Sequence, residues 1–424
     1  MGPTLTEAAR VWARIGLLSF GGPAGQIALM HREVVEKRGW LTEDQYLNAL
    51  SFCMLLPGPE AMQLATYSGW RLHGVAGGLI AGSLFVLPGA AIVLALAALY
   101  AALGELPLIQ ALFDGVKAAV VVIVIEALLK VARRALHGWD RWVLAGLAFV
   151  AIFFLSAPFP LIVLLAGLYG FATARPGSGG PRAGVRPGRT ARTVMLWLAI
   201  WWAPLAVMWL VVPESLLIEI GLFFAKLAVV TFGGAYAVLA YMTQAAVETY
   251  GWLSTGQMMD GLGLAETTPG PLILVTEFVG FLAAHQAGGL WFGMAGAAVT
   301  LWMTFAPCFL WIFAGAPYVE WIATRPRLKS ALSGISAAVV GVILNLSLWF
   351  ALHVFFGTVT RASSGPLRAP MPDIATLQPQ IVLFALVSAA LLLWRGTGLI
   401  AVLAVAAALG LGWHLVAGGA PIPG

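Results

Sequence analysis

The sequence predicts an all-α polytopic membrane protein made of two homologous repeats, and three observations support this prediction. Of the 424 residues, 61% are hydrophobic and 10% are charged, against roughly 45–50% and about 25% in soluble domains. Long stretches such as residues 86–103 are apolar on all sides, which is typical of membrane helices because barrel strands alternate apolar and polar residues. Several motifs also recur at a constant spacing. The composition excludes a soluble enzyme.

The repeat is visible in two motifs. Phe20-Gly21-Gly22 recurs as Phe232-Gly233-Gly234, and Pro57-Gly58-Pro59 recurs as Pro269-Gly270-Pro271, both 212 residues later. Further matches are Gly39-Trp40-Leu41 with Gly251-Trp252-Leu253 and, at an offset of 219, Pro88 with Pro307 and residues 118–121 with residues 337–340. We therefore predict a first membrane repeat over residues 1–174 and a second within residues 193–424, where an extra apolar helix precedes it.

Residues 175–192 separate the two repeats. This stretch is rich in Gly, Pro and Arg and contains no acidic residue, so it is too polar and too interrupted to enter a bilayer. We predict a flexible cytoplasmic linker.

The distribution of positive charge predicts that the repeats are inverted. The second repeat has no Lys or Arg between Lys226 and Arg325, whereas matching positions of the first repeat are basic. Cytoplasmic loops carry the excess of Lys and Arg, and one extra helix between the repeats would invert the second. A parallel duplication with weak charge bias is the alternative. The basic residues assigned to the cytoplasm are Arg32, Lys37, Arg38, Arg71, Lys130, Arg133, Arg134, Arg141, Arg325, Arg327 and Lys329.

Each Pro-Gly-Pro interrupts an apolar stretch and leaves two runs that are too short to span about 30 Å of hydrocarbon. Proline lacks an N–H group and disfavours helix in the residue before it, so the sequence predicts broken half-helices. Two half-helix N-termini would then meet near the membrane midplane. Their free N–H groups and helix dipoles would bind an anion without a charged side chain.

Charged residues in apolar surroundings are further candidates, since each is costly inside a membrane. Arg14 and Lys226 both stand six residues before a Phe-Gly-Gly motif, and a cation at the same place in both repeats suits an anionic substrate. The alternative is that these side chains snorkel to the lipid headgroups. Gly21-Gly22 and Gly233-Gly234 would permit close backbone approach to the substrate.

Three acidic residues lie near the Pro-Gly-Pro motifs and are candidates for proton coupling: Glu60, Glu266 and Glu277. They could equally cap half-helices or pair with Arg14 and Lys226. For Lys117 and Glu126, in a strongly apolar segment, structural ion pairs with neighbours are the favoured interpretation.

The sequence offers poor material for other classes of function. It has no GxxxxGK[ST] motif, no Cys/His cluster and no flavin motif, so we expect no cofactor, no metal, no nucleic-acid partner and no enzymatic activity. Cys53 and Cys308 lack a spacing that would suggest a disulfide framework or a zinc site. An anion channel remains an alternative to a transporter, and the sequence leaves a homodimer open.

These motifs resemble the chromate ion transporter family in its two-domain long-chain form. The resemblance extends over both repeats and rests on Phe20-Gly-Gly-Pro, Ala28-Leu29-Met30, Trp40-Leu41, Leu56-Pro57-Gly58-Pro59-Glu60-Ala61-Met62-Gln63-Leu64-Ala65-Thr66-Tyr67, Leu87-Pro88-Gly89 and Thr268-Pro269-Gly270-Pro271. It implies a multi-pass protein of the bacterial inner membrane that exports chromate and so confers chromate resistance. Some members are thought to carry sulfate. Many members have His where this sequence has Gln26, which leaves chromate and sulfate open here.

We therefore predict a gradient-driven oxyanion transporter, with an antiporter among the options, that works by alternating access. The predicted substrate-binding residues are Arg14, Gly21, Gly22, Pro57, Gly58, Pro59, Glu60, Lys226, Gly233, Gly234, Pro269, Gly270 and Pro271.

Overall fold

A computed structural model describes residues 2–20, 22–104, 106–174, 187–232, 234–319, 325–364 and 367–417. Over these residues the chain forms fifteen α-helices and one two-stranded β-hairpin, so the prediction of a helical membrane protein is confirmed. The α-helices are α1 Leu5–Leu18, α2 Gly22–His31, α3 Glu43–Cys53, α4 Glu60–Leu103, α5 Pro107–Ala135, α6 Trp139–Phe153, α7 Phe159–Ala172, α8 Pro187–Val211, α9 Leu216–Val230, α10 Ala235–Gln244, α11 Thr255–Thr267, α12 Val275–Gly315, α13 Pro326–Phe355, α14 Pro379–Ala389 and α15 Leu399–Val416.

Short irregular turns extend several helices, and the strands are β1 Val359–Ser364 and β2 Leu367–Pro372. The turns are π-helical at Arg32–Glu36, Ala245–Thr249 and Ala390–Trp394, and 3-10 at Leu272–Leu274, Ala316–Tyr318 and Ile374–Thr376. The antiparallel hairpin pairs Val359 with Pro372 and Ser364 with Leu367. It is the one departure from helix among the described elements.

Six helical segments are long and apolar enough to cross a membrane, counted over the described residues. They are Glu60–Leu103, Pro107–Ala135, Gly188–Val211, Leu272–Tyr318, Pro326–Phe355 and Leu399–Val416. Two shorter apolar helices, Phe159–Ala172 and Pro379–Trp394, accompany them. The chain is therefore a multi-pass membrane protein.

The two longest helices are bent back on themselves. In α4 the backbone leaves helical geometry at His73 and at Gly74, whose φ of 61° is in the left-handed region that favours glycine. A side chain on Gly82 would overlap Thr66 and lie 3.1 Å from Met62, although 20 residues of straight helix would separate Met62 from Gly82 by about 30 Å. Thus α4 is an antiparallel helical hairpin.

The second repeat bends in the same way. In α12 the bend lies at Gly288 and Gly289, where Gly289 has a φ of 75°. A side chain on Gly280 would overlap Thr300, and one on Gly296 would overlap Gly280 and Ala284. Small residues therefore let the two arms of each hairpin approach closely.

The chain divides into two compact units that do not follow the repeat boundaries. The first unit contains Met1–Ala97, Phe171–Val238 and Thr268–Leu332, and the second contains Ala98–Gly170, Leu239–Thr267 and Ser333–Gly424. Each unit therefore takes segments from both repeats. Of the predicted linker, residues 175–186 lie outside the described residues, while residues 187–192 form the start of α8.

In the first unit, α12 packs against α8 and α9. The indole of Trp201 in α8 donates a hydrogen bond to the carbonyl oxygen of Met303 in α12 at 3.1 Å. His31, the last residue of α2, lies 2.7 Å from a carboxylate oxygen of Glu43 at the start of α3. This contact raises the pKa of the His31 imidazole above its usual value.

In the second unit, α5 packs against α15 through small residues. A side chain on Gly115 would overlap the carbonyl of Ala406, and one on Gly410 would overlap that of Ala111. Lys117 of α5 lies 3.3 Å from Asp114 and 3.4 Å from Asp260 of α11. Together these contacts connect α5 to α11 and α15.

Candidate functional site

The Pro-Gly-Pro segments are breaks between helices, as the sequence analysis predicted. The first lies between the end of α3 at Cys53 and the start of α4 at Glu60, and the second lies between α11 and α12. Helices α3 and α11 have 11 and 13 residues, so at 1.5 Å per residue they are too short to cross about 30 Å of hydrocarbon. Gly58 and Gly270 have φ values of 111° and 96°, which favour glycine strongly.

Two reciprocal hydrogen bonds join the breaks of the two repeats. The Gly58 N–H donates to the Thr231 carbonyl oxygen at 2.9 Å, and the Gly270 N–H donates to the Ser19 carbonyl oxygen at 2.9 Å. Donors and acceptors are each 212 residues apart, which is the repeat offset. Each break therefore docks onto the residue that precedes the Phe-Gly-Gly motif of the other repeat. Such mutual exchange of contacts is the pattern expected of two elements related by a two-fold axis.

Both breaks line a single cavity in the first compact unit. Its lining residues come from both repeats and are Pro23, Gln26, Gly58, Pro59, Glu60, Ala61, Thr231, Gly234, Ala235, Pro271, Leu272 and Ile273. The cavity volume is about 20 Å³, which is enough for one water molecule.

Two glutamine amides hold the breaks in place. The Gln26 Nε2 donates to the Gly270 carbonyl oxygen at 2.6 Å and the Gln63 Nε2 donates to the Pro57 carbonyl oxygen at 2.6 Å. Both side chains are fully buried. Their counterparts in the second repeat are Val238 and Val275, so the first repeat supplies both amides.

These two glutamines were not among the predicted site residues. Gln26 was noted only as a departure from the family pattern, and Gln63 only as part of the motif around the first Pro-Gly-Pro. A signal was present, because an amide in an apolar segment needs a hydrogen-bond partner when it is buried. The sequence could not show which backbone carbonyl would supply that partner.

The start of α4 and the 3-10 turn before α12 present their first residues to the cavity: Glu60 and Ala61 on one side, and Leu272 and Ile273 on the other. The first N–H groups of a helix have no partner within the helix, and its N-terminus attracts negative charge. Half-buried Glu60 lies at the same place. Its carboxylate, when ionised, would repel an anion bound there.

A family model described as "Chromate transporter" matches residues 6–171 and 218–411. The chain belongs to the chromate transporter family. The two matched regions correspond to the two repeats, which supports the predicted duplication. Family membership together with the apolar helices identifies the chain as a membrane transporter and not an enzyme.

Curated relatives match this transporter over most of its length. A "Chromate transport protein" of Cupriavidus metallidurans is 32% identical over 346 residues, covering 80% of this chain and 81% of the relative. One from Pseudomonas aeruginosa is 30% identical, covering 78% and 77%. A "Probable chromate transport protein" of Synechococcus elongatus is 29% identical, covering 91% and 95%. No solved structure matches the transporter significantly.

Arg14 and Lys226 were predicted to provide positive charge at the site, but neither lines the cavity of the transporter. Both side chains are exposed on their helices, α1 and α9. The reason is helix geometry: the buried neighbours Ile15 and Leu227 occupy the inward faces, so the charged residue beside each turns outward. This placement favours the snorkelling interpretation.

The other predicted residues divide into three groups. Gly58, Pro59, Glu60, Gly234 and Pro271 line the cavity. Pro57, Gly270 and Pro269 lie in the same breaks, and Gly22, with a φ of 71°, begins α2. Gly21 and Gly233 lie outside the described residues.

The three predicted acids differ in their surroundings. Glu266 is buried in α11, within the second compact unit. Glu277 is buried in the first turn of α12, within the first unit, and does not line the cavity. Of the remaining charges, Lys117 pairs with Asp114 and Asp260, and Glu126 pairs with Lys130 at 2.8 Å.

Proposed function

We propose that this protein is a secondary active transporter that exports chromate across the bacterial inner membrane and so confers chromate resistance. The observation that carries the proposal is the pair of reciprocal hydrogen bonds from Gly58 to Thr231 and from Gly270 to Ser19. They bring the interrupted backbones of both repeats to one cavity. The substrate class follows from family membership and from relatives named chromate transport proteins.

The site would bind its anion mainly through backbone N–H groups. Where two half-helices begin beside one cavity, their free N–H groups and dipoles favour an oxyanion. When the breaks separate, the Gly58 and Gly270 N–H groups lose their carbonyl acceptors and become donors for the oxyanion. Gln26 and Gln63 would keep the neighbouring carbonyls pointing away from the anion. Glu60 must be neutral or turned away when the anion is bound.

The small cavity supports an alternating-access cycle. The cavity has room for one water molecule and is flanked by glycines with positive φ, as would suit a closed state of such a cycle. Opening toward either side would require the two breaks to move apart, and the repeats would supply equivalent hinges if their topology is inverted. With no nucleotide-binding motif in the chain, an ion or substrate gradient would drive the cycle.

The test is uptake of labelled chromate into everted membrane vesicles, in which export appears as accumulation. We expect the wild-type protein to accumulate chromate when a proton gradient is present, and excess sulfate to compete because it has similar shape and charge. Gly58→Ala and Gly270→Ala should each lower the initial rate about tenfold. A side chain at these φ values costs about 1–3 kcal/mol, and about 1.4 kcal/mol corresponds to a factor of ten. Added methyl groups would also lie 2.9 Å from Gln63 and Leu274.

The matched control is Gly146→Ala. This glycine lies within α6 with no atom near its missing side chain, so transport should be unchanged. Equal rates in all four proteins would contradict the proposed site. Accumulation of sulfate without chromate would assign the protein to sulfate transport instead. Absence of counterflow of labelled substrate would indicate a channel.

A further inference from the structure

Glu277 is an unpartnered carboxyl group in the interior of the first compact unit. Its exposed fraction is 1%, and neither of its carboxylate oxygens has a hydrogen-bond partner. The residue lies in the first turn of α12, which follows the second Pro-Gly-Pro break and the 3-10 turn Leu272–Leu274. An ionised carboxylate is very costly in such a place, whereas a protonated carboxyl is tolerated. The site therefore suits a group that carries a proton.

The other two acids near the breaks differ from Glu277. Glu60 and Glu266 both make interactions with other residues, and Glu60 is only half-buried. Glu277 is thus distinguished from the other two acids by its burial without a hydrogen-bond partner.

Two threonines of the same hairpin face the Glu277 arm. A side chain on Gly280, three residues after Glu277, would overlap Thr300, so Thr300 faces this arm. Because the arms are antiparallel, Thr304, one turn after Thr300, faces the level of Glu277. The Thr300 and Thr304 hydroxyls are buried and have no hydrogen-bond partner. The hairpin interior therefore contains three unsatisfied polar side chains in a row.

We propose that Glu277, together with Thr300 and Thr304, is the proton-binding site that couples substrate export to a proton gradient. The inference rests on the proposed function as a secondary transporter. A proton is favoured over a metal cation because the three side chains offer four oxygens, whereas hard cations such as Ca²⁺ and Mg²⁺ take six or more ligands. The carboxyl would hold its proton while buried and release it when opening of the adjacent break admits water.

The elements that pack against α12 carry few charges, and none of them pairs with Glu277 among the described residues. The titratable and charged groups on these elements are Arg189 and Arg192 of α8, Glu219 and Lys226 of α9, Glu60, Tyr67, Arg71, His73 and Tyr100 of α4, Tyr318 of the 3-10 turn after α12, and His285 and Cys308 of α12 itself. Arg189, Arg192, Glu219 and Lys226 have exposed side chains. Protonation of Glu277 therefore depends on its access to water.

The test uses the full chain reconstituted in liposomes, at a pH where chromate stays fully ionised. Two quantities are measured: exchange of labelled chromate without any gradient, and accumulation driven by a pH gradient with the membrane potential clamped. A trapped pH dye reports the accompanying proton flux. We expect Glu277→Gln to retain exchange but to lose both gradient-driven accumulation and proton flux. Glu277→Asp should restore gradient-driven accumulation in part.

The matched control is Glu126→Gln, because Glu126 forms an ion pair with Lys130; this variant should behave as wild type in both measurements. Proton-coupled accumulation by Glu277→Gln would overturn the proposal. Wild-type accumulation driven by a sodium gradient without proton flux would also overturn it, whether or not any variant folds. Absence of chromate exchange by the wild-type protein would instead refute the proposed function on which the inference rests.

Discussion

Gln26 shows how a single buried side chain can determine the geometry of the site. Its amide donates to the Gly270 carbonyl oxygen at 2.6 Å and lies 3.4 Å from the Ser19 carbonyl oxygen. The Ser19 carbonyl also accepts the hydrogen bond from the Gly270 N–H. One residue of the first repeat thus helps to hold the break of the second repeat against α1.

We expect Gln26→Leu to weaken both stability and transport. The substitution keeps a similar volume but leaves the buried Gly270 carbonyl without its amide donor, which costs about 1–3 kcal/mol. The apparent melting temperature in detergent and the initial rate of chromate uptake should both fall. Gln110→Leu is the control, since that side chain makes no hydrogen bond among the described residues. Equal losses in both variants would show that Gln26 has no special role.

At the scale of secondary structure, the helical hairpins are the feature that hydropathy does not reveal. Most of Glu60–Leu103 is apolar, so the periodicity of its apolar residues does not show that the segment forms two antiparallel arms. The bends at Gly74 and Gly289 require positive φ, and close contact of the arms requires small residues along both. Hydropathy does not show which glycines face the opposite arm. The packing of the two arms decides this.

We expect Gly280→Val to destabilise the second hairpin. Its side chain would overlap Thr300 and lie 3.1 Å from the Gly296 carbonyl oxygen, and overpacking of this kind costs about 1–3 kcal/mol or more. Thermal unfolding in detergent should show a lower midpoint than wild type. Gly412→Val in α15 introduces the same residue where no atom is near. A shift of similar size in both variants would contradict close packing at Gly280.

At the scale of the whole molecule, equivalent elements of the two repeats are distributed over both compact units. Helix α3 belongs to the first unit, whereas its counterpart α11 belongs to the second. The boundaries of the repeats in the sequence therefore differ from the boundaries of the compact units in the fold. The hydrogen bonds at Gly58 and Gly270 display the repeat directly as a reciprocal contact.

Inverted topology remains a prediction, and cysteine labelling tests it. Arg38 and Tyr250 are equivalent positions, 212 residues apart. Cys53 and Cys308 are both buried and free, so their replacement by serine gives a background without cysteine. In this background, we expect Arg38→Cys and Tyr250→Cys to react with a membrane-impermeant maleimide from opposite sides. Reaction from the same side would support a parallel duplication, provided that chromate uptake is retained.

The sequence by itself determined the membrane class, the duplication and the two backbone breaks. Composition, repeated motifs and the chemistry of proline act locally along the chain, so they can be interpreted without coordinates. The symmetric recurrence of Pro57-Gly58-Pro59 as Pro269-Gly270-Pro271 led to the prediction that both breaks contribute to one site.

Tertiary structure alone decided which side chains surround that site. Arg14 and Lys226 turned outward because the neighbouring apolar residues occupy the inward helix faces, while Gln26 and Gln63 were buried against specific carbonyls. The unpartnered state of Glu277 likewise depends on how α12 folds back on itself. These contacts join residues far apart in the chain, and no local pattern specifies which distant groups will meet.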